Sequence, residues 1–113
     1  MVNKVFFDGG IKIILDSLLL DFAFVRGGKM FGYPGYYLGK KLFACVYEDG
    51  VGLKLPLEQV NAVLDGKTYT PFIPMGRHVM KEWVYISRIA PEDYRLDLNL
   101  FSASIGFVGK NPQ

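Results

Sequence analysis

The stretch Lys41-Leu42-Phe43-Ala44-Cys45-Val46-Tyr47-Glu48-Asp49-Gly50-Val51-Gly52-Leu53-Lys54-Leu55-Pro56 decides the fold. Lys41 to Tyr47 is rich in aromatic and β-branched residues and alternates loosely, as a strand does. Glu48-Asp49-Gly50 reads as a tight turn and Val51 to Leu55 as the return strand. Asp-Gly between two such runs is a strong hairpin signal, because both residues tolerate the positive φ that a short hairpin turn demands. Pro56 then opens a helix at a first-turn position, where its missing N–H costs nothing.

The pattern extends in both directions from this hairpin. Upstream, Tyr36-Tyr37-Leu38-Gly39-Lys40-Lys41 reads as a second turn, and Gly32-Tyr33-Pro34-Gly35 as a turn within the sheet. The result is a meander of about three strands between Phe24 and Leu55. Before it, Ile11, Ile14, Leu15, Leu18, Leu19 and Phe22 recur at the spacing of one helix face, with Asp8 as N-cap. Ile13 and Leu20 widen that apolar face, so the helix needs cover from a sheet or a second subunit. Downstream, Leu57, Val60 and Leu64 share a helix face that Asp65-Gly66 closes. A proline-interrupted loop through Pro71 and Pro74 follows, and Glu82 to Ile89 reads as a strand. Pro91 opens a last helix, with Glu92 and Asp93 in its first turn and Tyr94, Leu98, Phe101 and Ile105 on its apolar face. Gly109 to Gln113 reads as a loose tail.

The predicted fold is therefore α+β, a two-layer sandwich in the order α-β-β-β-α-β-β-α. An antiparallel sheet of roughly four to five strands carries its helices on one face. Residues 1–113 make a single domain, since 113 residues leave no room for two. Half of the residues are hydrophobic, and 15% are aromatic, which is ample for a packed core and excludes disorder.

The same composition narrows the chemistry. One cysteine excludes an internal disulfide framework, and one histidine excludes a zinc site built on several His and Cys. Cys45, within an apolar strand, reads as a buried small hydrophobe, and His78, in Gly76-Arg77-His78, as an exposed loop residue. Gly27, Gly28, Gly32 and Gly35 match neither dinucleotide nor phosphate-loop spacing, and read as turn and bulge glycines. No catalytic constellation stands out, so the chain is expected not to be an enzyme and to need no cofactor. No signal peptide or membrane span is expected, and the lone cysteine places the chain in a reducing cytoplasm.

The net charge of +2 hides an uneven distribution, because bases dominate the middle of the chain. Lys29, Tyr36, Lys40, Lys41, Lys54, Arg77, His78 and Lys81 form the candidate binding surface. Bases interleaved with aromatics suit a phosphate backbone and stacked nucleobases. Lysines also guard sheet edges against unwanted pairing.

Several segments in order resemble the TfoX N-terminal domain family. They are Lys29-Met30-Phe31-Gly32-Tyr33-Pro34-Gly35, Gly39-Lys40-Lys41-Leu42-Phe43-Ala44, Asp49-Gly50-Val51-Gly52-Leu53-Lys54-Leu55-Pro56, Pro71-Phe72-Ile73-Pro74-Met75-Gly76-Arg77 and Met80-Lys81-Glu82-Trp83-Val84. The resemblance covers about Asp8 to Ile105. It implies a two-layer α+β fold similar to type III secretion chaperones and YjbR-like proteins, and it supplies no catalytic residues. Named members regulate bacterial competence and carry a second domain. The expected function is thus a non-enzymatic regulatory or protein-interaction module that binds a protein partner or itself. The alternative is a nucleic-acid accessory protein acting through the basic, aromatic middle.

Overall fold

The computed structural model describes residues 5–110, and the ends of the chain, including residues 111–113 of the expected tail, lie outside that range. Three helices and six strands follow one another: α1 (Gly9–Leu19), β1 (Val25–Met30), β2 (Tyr33–Leu38), β3 (Lys41–Tyr47), β4 (Gly50–Lys54), α2 (Leu57–Val63), β5 (Tyr69–Pro71), β6 (Trp83–Ile86) and α3 (Leu98–Lys110). The strands form one open antiparallel sheet in the order β1-β2-β3-β4-β6-β5. Among the described residues no helix is long and apolar enough to cross a membrane.

The α+β class and the antiparallel sheet agree with the sequence reading, and the strand count does not. Four strands, not three, precede α2. Tyr33-Pro34-Gly35 and Tyr36-Tyr37-Leu38, read as turns, together make β2. The actual turns are shorter, Phe31-Gly32 and Gly39-Lys40. Phe31 and Gly32 both take positive φ (49° and 90°), the mirror-image turn that matches the twist of a hairpin. The loop through Pro71 contains β5, which lies on the outer edge of the sheet, where proline is tolerated. The expected strand to Ile89 ends at Ile86, and the helix opened by Pro91 begins as a 3-10 helix over Pro91–Asp97 before α3. Gly109 belongs to α3 rather than to a tail.

Local chemistry sets the helix ends. Asp8 caps α1, its Oδ1 accepting the N–H groups of Gly10 (2.8 Å) and Ile11 (3.2 Å). The helix stops at Leu19, one turn short of the expected Phe22. Pro56 stands at the N-cap of α2 rather than inside its first turn. Beyond α2, Asp65 Oδ1 accepts the N–H groups of Lys67 (2.8 Å) and Tyr69 (2.9 Å), and this turn delivers the chain into β5.

The sheet has two apolar faces. Ile11, Leu15 and Leu19 of α1, Val60 of α2, and Phe101 and Val108 of α3 share one buried cluster with Tyr36, Val46, Val51, Leu53, Val84 and Ile86. A bulge tunes this face. Tyr36 pairs with Ala44 and Tyr37 with Leu42, so Phe43 has no residue opposite it, and Phe43 and Ala44 both join the helix-side cluster. The other face carries a second cluster of Tyr33, Cys45, Tyr47, Phe72 and Trp83, with Met30, Leu42 and Tyr85 packed against it. Alternation explains the division: Val84 and Ile86 face the helices, while Trp83 and Tyr85 face away. Gly52 sits on this second face, and a Cβ there would come within 2.8 Å of the Phe72 ring. Phe72 and Tyr85 stack nearly parallel over β4, at 5.8 Å between ring centres.

Candidate functional site

Among the described residues no helix covers the aromatic face. The segment from Phe72 to Glu82 crosses it instead, with a single 3-10 turn at Pro74–Gly76. Hydrogen bonds at both ends and in the middle pin this segment, Leu55 N–H donating to Glu82 O (3.0 Å) among them. Met75 N–H donates to the Tyr47 hydroxyl (2.8 Å), Met80 N–H to Phe72 O (2.9 Å), and Trp83 N–H to Met80 O (3.0 Å). Met75 itself takes positive φ (60°), which turns the chain back on itself.

Between the segment and the sheet lies a groove of about 350 Å³. Met30, Leu42, Phe72, Met80 and Trp83 form much of its wall, and Arg77 and His78 supply its charge and polarity. A neighbouring cavity of about 460 Å³ shares Phe31, Met75 and Arg77 with it and adds Tyr33, Tyr47 and Glu48. Arg77 therefore stands between an apolar compartment and a more polar one. Burial, and then the charges of Tyr47 and Glu48, raise the pKa of the Tyr33 hydroxyl, which stays neutral and able to donate. Methionine side chains are unbranched and polarisable, so a wall containing three of them adapts to more than one apolar shape.

The predicted surface residues do not form one patch. Arg77 and His78 line the groove, and Lys81 is exposed on the same segment. Lys54 borders it, because its Nζ lies 5.8 Å from the centre of the Trp83 ring and 3.3 Å from Glu82 Oε1. Lys29 lies on the outer strand β1, and Lys40 in the β2–β3 turn. Lys41 turns toward α3, its Nζ donating to Val108 O at 3.5 Å. Tyr36 is a correction. It is 1% exposed, and its hydroxyl donates to Asp16 Oδ1 (2.6 Å), so it joins β2 to α1 rather than facing a partner. The aromatic count placed it on the surface, whereas strand alternation points it to the helices.

Cys45 is fully buried on the aromatic face, and burial pushes its thiol up to about 12, far from a nucleophile's range. Among the described residues no group of three or more His, Cys, Asp or Glu is placed to hold a metal ion. A second polar arrangement lies on the far side of the sheet. Arg88 forks onto the buried Asp97, Nη2 to Oδ1 at 2.7 Å and Nε to Oδ2 at 3.0 Å, and Tyr69 donates its hydroxyl to Oδ1. Every charge in that set is paired, and it joins β5 to the end of β6 and the 3-10 helix before α3.

The sequence reading missed Met30, Phe31, Leu42, Phe72, Met75, Met80 and Trp83 as a group. Their signal was present in Lys41 to Tyr47 and Trp83 to Ile86, which are apolar at both alternating positions and so mark a sheet covered on both faces. Comparison with known proteins finds no matching family model, no matching curated protein and no matching solved structure.

Proposed function

We propose that this chain is a non-enzymatic regulatory or protein-interaction module that takes apolar side chains of a partner into the groove beneath Phe72 to Glu82. The carrying observation is the groove itself: a methionine- and aromatic-lined trough with one arginine and one histidine, on the face without helices. Clefts of this character are where proteins take up ligands and partner side chains. The burial of Cys45, which holds its thiol protonated, supports the non-enzymatic reading. The resemblance to the TfoX N-terminal domain belongs to the same proposal, supported at the level of fold class by an antiparallel sheet with three helices. The nucleic-acid reading draws less support, because Lys54 is paired with Glu82 and Lys41 with an α3 carbonyl.

Trp83 is the sole tryptophan and lines the groove, so its emission reports occupancy directly. Titration with an anilinonaphthalene sulfonate should quench Trp83 and brighten the dye, and Met80→Glu should abolish both changes while preserving the melting curve. In the native host, a photoreactive benzoyl-phenylalanine in place of Met80 should give a discrete crosslinked protein that competing dye reduces. A native chain that neither binds dye at Trp83 nor crosslinks, and that binds DNA or RNA with a steep salt dependence, would refute the proposal.

A further inference from the structure

We propose that the outer edge of β1 is a second docking site, which adds an extended acidic segment of a partner protein to the sheet. This rests on the interaction-module reading but uses a different surface from the groove. β1 is the terminal strand of the sheet, and its register with β2 runs unbroken from Val25↔Leu38 to Met30↔Tyr33. Natural sheets blunt such edges with short strands, prolines, bulges or charged side chains, lysine above all. The opposite edge follows that rule, since β5 has three residues and ends at Pro71. β1 has six residues, no proline and no bulge, so its guard is the charge of Arg26 and Lys29, which repels another basic edge and leaves an acidic strand free to pair.

The hairpin sets which groups face outward. Met30 and Tyr33 flank a two-residue turn, and in such hairpins the flanking pair exchanges both of its hydrogen bonds. By alternation, Val25, Gly27 and Lys29 direct their backbone groups away from β2. The ends of the edge are partly occupied: Val25 N–H donates to Phe22 O (3.3 Å), and the Tyr37 hydroxyl donates to Lys29 O (2.6 Å). Gly27 N–H and C=O, with Lys29 N–H and Val25 C=O, make the outward template.

Two aromatics bracket this edge. Phe24 is 89% exposed at φ 68°, and Phe31 is 80% exposed at φ 49°. A bulky side chain in left-handed backbone is strained, and at this exposure little burial offsets the strain. At Phe31 the β1–β2 turn requires the positive φ, and the outcome at both positions is an exposed aromatic ring beside the edge.

The charge selects the occupant. Arg26 and Lys29 are the charged residues of β1, so pairing with a second copy would gather cations with no acid to answer them. Three positions apart, they fall on opposite faces of the strand, and Arg26 lies over the Tyr37 ring at 4.7 Å. An incoming strand with carboxylates three residues apart, one on each face, meets both.

The test uses the intact chain and a capped peptide of alternating valine and threonine with glutamates three positions apart. The expected result is binding with amide shifts concentrated in Val25–Met30, and at least tenfold weaker binding when glutamine replaces both glutamates. Arg26→Glu with Lys29→Glu should weaken the acidic peptide at least tenfold. Gly27→Pro, which an outer edge tolerates and which removes an outward N–H, should erase the β1 shifts while Trp83 still responds to dye. If a variant fails to fold, the glutamate–glutamine comparison on the native chain decides alone. Equal binding of both peptides, shifts confined to Phe72–Trp83, or no shifts at millimolar peptide would overturn this proposal and leave the groove reading standing.

Discussion

At the scale of single residues, burial rather than sequence neighbourhood determines what each reactive group can do. Cys45 keeps its proton because burial disfavours the thiolate, and this has a consequence for stability against pH. The thiol's ordinary value is near 9 and its folded value about 12. Well below pH 9 the thiol is protonated in both states and stability does not depend on it. Above it the unfolded chain gives up the proton first, so stability falls as pH rises toward the folded value, by at most about 1.4 kcal/mol per pH unit. The buried hydroxyls of Tyr36, Tyr85 and Tyr94 act in the same direction, but only above their ordinary value of 10. Urea denaturation at pH 8 and pH 10 should therefore show a loss for the native chain that Cys45→Ala reduces. Equal losses in both proteins would count against this assignment. The reading of Cys45 as an apolar strand residue was available from its neighbours Ala44 and Val46, whereas the placement of Tyr36 required strand boundaries that the glycines on either side obscured.

At the scale of elements, the 3-10 helix before α3 is held to the sheet by charge as well as by packing. Asp97 is buried, and Arg88 and Tyr69 answer it from β5 and the residues after β6. Asp97→Ala would leave the Arg88 guanidinium without its partner in a mostly buried position. The expected cost is about 3 kcal/mol, at the low end for a broken buried pair because Arg88 keeps some access to solvent. Thermal unfolding measures it, and a change under 1 kcal/mol would show that water replaces the carboxylate. This network was not legible in the sequence, since its members stand far apart and only the β5–β6 pairing gathers them. The β3–β4 hairpin was legible from the two apolar runs around Glu48-Asp49-Gly50, but its turn lies one residue earlier than Asp-Gly predicts: Glu48 takes the positive φ (54°) and Gly50 already belongs to β4, opposite Tyr47. β2 was not, because Pro34, Gly35 and Gly39 carry turn chemistry. Pro34 and Gly35 nevertheless lie inside the strand, where Gly35 leaves room for Leu42 and Tyr37.

At the scale of the whole molecule, the two faces of the sheet differ in how they are covered. Three helices seal one face, while a loop with a single 3-10 turn shelters the other, so the groove side has few local hydrogen bonds to resist opening. The strand order extends this asymmetry into kinetics. Strands β1 to β4 are sequential neighbours, whereas β4 meets β6 only after the chain has passed through α2 and β5. Pairing neighbours along the chain closes short loops at small entropic cost, and pairing across an intervening segment closes a longer one. Native-state hydrogen exchange should then show slow amides in β2, β3 and β4, and faster opening of β5 together with the Phe72–Glu82 segment. Uniform protection across all six strands would contradict this order. On this strand order the groove should complete last during folding and yield first during breathing. A partner bound there would act as a latch on the final step of assembly, coupling its own presence to the lifetime of the closed sheet.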